Sequence, residues 1–74
     1  MDKLVIVQEY KFQKGGMVFY ISEGERLRIK LSTGDICEGT LVEVGGFSDC
    51  FDIDTDDGLI TIDCEDVVDI MPVQ

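Results

Sequence analysis

Histidine and tryptophan are absent from this 74-residue sequence, proline occurs once, and no basic residue follows Lys30. Without histidine there is no Cys-His zinc site and no histidine-activated nucleophile. Cys37, Cys50 and Cys64 are an odd number and lack C-x-x-C spacing. That argues against a disulfide framework and for reduced thiols in the cytoplasm. There is no nucleophile motif and no phosphate-binding Gly-Lys-Ser/Thr, and acids at strand turns without a cleft are poor ground for acid–base work. We therefore expect neither enzyme nor cofactor. The N-terminal apolar run, Leu4–Val7, is too short for a signal peptide or a membrane span.

What is present is acidic and unevenly spread. Six basic residues beside four acids leave residues 1–30 at +2, and the twelve remaining acids leave residues 31–74 at −12. Nucleic-acid binding draws on basic side chains set against phosphates, so this balance disfavours RNA. A hydrophobic content of 45% suits a folded domain, but one this short is marginal alone and benefits from self-association.

The best-patterned stretch runs from Glu25 to Asp54. Leu27, Ile29 and Leu31 alternate with Arg26, Arg28 and Lys30, the period-two pattern of a half-buried strand. A turn at Ser32–Asp35 leads into Ile36–Val44, where Cys37, Gly39 and Leu41 share a face. Glycine in mid-strand marks a bend or a close backbone approach. After Gly45-Gly46, the run Asp49–Asp54 puts Phe51 and Ile53 inward. An Asp-Gly turn at Thr55–Gly58 precedes Leu59–Ile62, a 3₁₀ turn fits Asp63–Asp66, and a short last strand, Val67–Met71, ends at Pro72. Upstream, Leu4–Phe12 and Met17–Ile21 flank Gly15-Gly16 and read as a hairpin. A helix over residues 3–12 is the alternative, and the β-branched density favours the strand. One all-β domain is expected, with residues 1–22 as an N-terminal hairpin extension and residues 24–73 as a small, strongly bent five-stranded barrel.

Over residues 24–73 this pattern resembles the Sm-like (LSm) family of SH3-like barrels. Leu27, Ile29, Leu31, Gly34, Gly39 and Leu41 match its first motif. Ile60 and Ile62, the turn Asp63–Asp66, and Val67 with Ile70 match the outline of its second. The departures fall on functional positions: Gly45-Gly46 and Asp49-Cys50 stand where RNA-binding members carry an acid and an asparagine, and Asp63-Cys64 replaces the Arg-Gly pair of the uridine pocket. The resemblance implies a homo-oligomeric ring, closed by the last strand of one subunit pairing with the edge of the next, without the usual uridine site.

Several residues are candidates for contact. Arg26, Arg28 and Lys30 form a basic stripe that either touches RNA or pairs with acids such as Glu38 on the neighbouring strand; the second reading is preferred. Phe47, with Asp49 close by, is the loop aromatic best suited to a partner or a base, whereas Tyr10, Phe12, Phe19 and Tyr20 suit core or interface as well as stacking. Asp52, Asp54, Asp56 and Asp63 resemble a calcium loop, with the glycine one residue late and strands where an EF-hand needs helices. Three functions follow. The first is a non-enzymatic Sm-like ring serving protein interaction or assembly. The others are RNA binding through the basic stripe, and an acidic nucleic-acid mimic that occupies a basic protein.

Overall fold

In the computed structural model, which describes residues 2–73, the chain is all-β. The strands are β1 (Glu9–Lys14), β2 (Met17–Ser22), β3 (Arg26–Leu31), β4 (Ile36–Val44), β5 (Cys50–Thr55), β6 (Gly58–Asp63) and β7 (Val67–Val73). A 3₁₀ turn, Cys64–Asp66, links the last two. β1 and β2 form a two-stranded hairpin, and the others form an antiparallel five-stranded sheet in the order β6-β5-β4-β3-β7. The sheet is not closed, because its edge strands β6 and β7 pair with one neighbour each.

The turns follow from their residues. Between β3 and β4 the Gly34 N–H donates to the Leu31 carbonyl and the Leu31 N–H to the Asp35 carbonyl, both at 2.9 Å. Gly34 takes φ +96°, a left-handed value that a side chain would strain. β4 is the longest strand and is shared. Its first half, Ile36–Thr40, pairs with β3, and its second half, Thr40–Val44, pairs with β5 with a bulge at Val42. At the changeover sits Gly39, where an added Cβ would lie 2.7 Å from the Asp54 carbonyl oxygen. The mid-strand glycine thus marks a close backbone approach, one of the two roles its position in the pattern suggests.

Alternation divides the sheet into two faces. Leu27 and Ile29 of β3, Leu41 of β4, Phe51 and Ile53 of β5, Ile62 of β6, and Val67 and Ile70 of β7 are buried on the inner face. The hairpin covers them: Ile21 is fully buried with this group, and Tyr10, Phe12 and Phe19 pack against it. Phe12 stacks on its cross-strand partner Phe19 with centroids 5.9 Å apart and meets Phe51 edge-on at 5.6 Å. Burying each such aliphatic side chain contributes about 2 kcal/mol. The β1–β2 hairpin is therefore a second layer of the core.

Two strand boundaries differ from the sequence reading. The first strand begins at Glu9, not Leu4. Its partner β2 stops at Ser22, opposite Glu9, so Leu4–Val7 has β propensity but no strand to pair with. Only the root of this arm is held. Gln8 donates its N–H to the Glu23 carboxylate at 3.2 Å and accepts the Glu23 N–H at 2.9 Å. Pro72 does not end the last strand but lies within β7, opposite Leu27. An edge strand tolerates proline when the missing donor faces outward.

Candidate functional site

The basic stripe lies on the outer face of β3, but two of its three charges are already engaged. Arg26 and Arg28 both reach the Glu38 carboxylate on β4, with Nε–O distances of 3.0 and 3.5 Å. The hydrogen bond from Arg26 leads the effects that hold the Glu38 carboxyl below its ordinary value, with the charges of Arg26 and Arg28 assisting. Lys30 stands across from Asp69 of β7. The stripe offers less positive charge to a phosphate backbone than its sequence suggests.

The four aspartates are not gathered. Asp52 and Asp54 lie on β5, Asp56 sits in the β5–β6 turn, and Asp63 stands opposite Cys50 at the far end of that hairpin. Asp52 accepts the Thr61 hydroxyl at 2.6 Å. Among the described residues no group of three carboxylate or thiol side chains is placed to hold a metal ion. An antiparallel hairpin spreads along its length the acids that a calcium loop winds around one point.

Phe47 and Asp49 occupy the loop between β4 and β5, beyond the far end of β4 from the stripe, and so do not extend it. Phe47 is 93% exposed. The loop itself is held: the Gly45 N–H donates to the Cys50 carbonyl at 2.8 Å, and Cys64 donates its N–H to the Asp49 carbonyl at 2.9 Å. Desolvation first, and then the Asp49 carboxylate, push the Cys50 and Cys64 thiols up. They are poor nucleophiles at neutral pH.

The sequence reading missed a cleft between the hairpin and the sheet. Phe12, Phe19, Phe51, Val67 and Ile70 line about 220 Å³, together with Gln13, Lys14 and Cys64. It exists because the hairpin meets the sheet through rings whose stacked and edge-on packing leaves a gap. The aromatic alternation was visible in the sequence, but the relative position of the two layers was not.

The two sheet edges are a further pair of surfaces, and their chemistry follows from register. Because Leu31 bonds to Asp35, residues Leu27, Ile29 and Leu31 direct their backbone groups to β4, and Arg26, Arg28 and Lys30 direct theirs to β7. In β7, Ile70 and Pro72, opposite Ile29 and Leu27, therefore direct theirs outward. Pro72 has no N–H, and the Ile70 N–H is taken by the Asp69 carboxylate at 3.0 Å. On the other side, the bond from Gly45 to Cys50 sets Cys50, Asp52 and Asp54 toward β4. Phe51, Ile53 and Thr55 then pair with Ile62, Ile60 and Gly58. Leu59, Thr61 and Asp63 of β6 consequently present both N–H and C=O to solvent, in a register without a bulge.

Comparison of the chain with family models, with curated proteins and with solved structures gives no match. Among the described residues no helix is long and apolar enough to cross a membrane.

Proposed function

We propose that this chain is a non-enzymatic domain of the Sm-like kind, working as a protein-interaction module that first assembles with itself. The observation that carries this reading is the order β6-β5-β4-β3-β7 with two unpaired edges. It joins a glycine turn, a strand with a mid-strand glycine at Gly39 and a 3₁₀ turn before the last strand, in line with the features on which the resemblance rests. An open sheet of this size gains stability by covering an edge. Three free cysteines fit a reducing, cytoplasmic setting. Engagement of Arg26 and Arg28 by Glu38 weighs against the RNA reading. A ring seam joining β6 to the next β7 has little support, because β7 lacks outward donors at Ile70 and Pro72. Self-assembly through β6 has more.

Native mass spectrometry at tens of micromolar protein tests the reading. Homo-oligomers are expected, along with no retention of oligouridine or oligoadenine at moderate salt. A strict monomer, or salt-sensitive capture of RNA, would contradict it.

A further inference from the structure

We propose that Leu4–Val7 is a donor strand that adds to the free edge of β6 in a second copy of this chain. The inference rests on the self-assembly reading and names its seam. Leu4 and Ile6 are 87% and 91% exposed, with Val5 and Val7 also open to solvent. Four consecutive branched aliphatic residues have high strand propensity, yet none of them lies in a strand. What the arm lacks is a partner with unpaired backbone groups, and β6 supplies one at Leu59, Thr61 and Asp63. Edge addition uses main-chain bonds for affinity and alternate side chains for fit. One alternating pair of the arm, Leu4 with Ile6 or Val5 with Val7, would continue the inner face beside Ile60 and Ile62.

The geometry favours a second copy over the arm's own sheet. The arm is rooted at Gln8 on Glu23, immediately before β3. Reaching β6 around the sheet means crossing three strand spacings, about 14 Å. Residues 2–7 fully extended span about 20 Å. Only about two residues would then remain to pair, too few for Leu4–Val7 to lie along β6.

The test compares the full chain with two variants by sedimentation velocity and native mass spectrometry, with circular dichroism confirming the fold. Leu4→Lys combined with Ile6→Lys changes only exposed side chains and leaves the core intact. It is expected to weaken self-association about a hundredfold, roughly tenfold per side chain. Thr61→Pro removes an outward donor from β6, as Pro72 does on β7, and is expected to weaken association to a similar degree. If Thr61→Pro does not fold, the arm variant decides the question. Association of the arm variant as tight as that of the full chain overturns the donor strand while leaving self-assembly standing. A full chain that stays monomeric at tens of micromolar overturns both.

Discussion

The edges of the one sheet are built differently. On β7, Pro72 lacks a donor and Asp69 occupies the donor of Ile70, so the strand shows solvent mainly carbonyls. On β6, Leu59, Thr61 and Asp63 keep complete pairs of donor and acceptor, and no proline or bulge interrupts them. Proline and local capping are among the means by which sheets block unwanted pairing. Their concentration on one edge gives the domain a direction of assembly. A small protein with two open edges has competing seams, whereas one with a single open edge has one, which closes as a reciprocal dimer or as a ring where the rotation permits.

The largest expected effect comes from filling the close approach of β4 to β5, between the two edges. Gly39→Val would drive a side chain into the Asp54 carbonyl, 2.7 Å from the position of a Cβ. It should destabilise the domain by about 3 kcal/mol, read as a lower urea midpoint. An unchanged midpoint would mean that the two backbones do not approach this closely. Next in size, Asp69→Ala combined with Pro72→Val returns both outward donors to β7. Two added backbone bonds should strengthen association roughly tenfold to a hundredfold and yield species larger than the parent's. Light scattering that matched the parent would show that β7 is not blocked by these groups.

The smallest effect lies between the edges, at Glu38. Its folded pKa is depressed below 4.5 by Arg26 and Arg28. The stability it adds is therefore fully present above the ordinary carboxylate value and is lost as pH falls through the lowered folded value. Glu38→Gln should leave the neutral-pH melting midpoint almost unchanged, because the pair is exposed. It should also flatten the acid side of the stability profile. A large drop at neutral pH would give the stripe a structural weight that its exposure does not explain.

Much of the fold was legible because it depends on local alternation. Leu27/Ile29, Phe51/Ile53 and the glycine at Gly34 specify faces and a turn within a few residues, and each lies where the pattern puts it. The edge chemistry was not legible. Whether the N–H of Ile70 points to a neighbour or to water depends on pairing with Ile29, about forty residues away in sequence. Leu4–Val7 reads as a strand by propensity and is not one, since a strand needs a partner and β2 ends too soon. The aspartates resembled a ligand loop because spacing along a chain says nothing about whether a hairpin separates them. The aromatic cleft depends on how two layers meet, which alternation within either layer does not specify.

The difference between the edges is tested most directly by amide hydrogen exchange, resolved by residue and measured at several protein concentrations. Protection at Leu59, Thr61 and Asp63 should rise with concentration, while that of Val68 to Met71 stays constant. Concentration-dependent protection along β7 instead, or along neither edge, would contradict it.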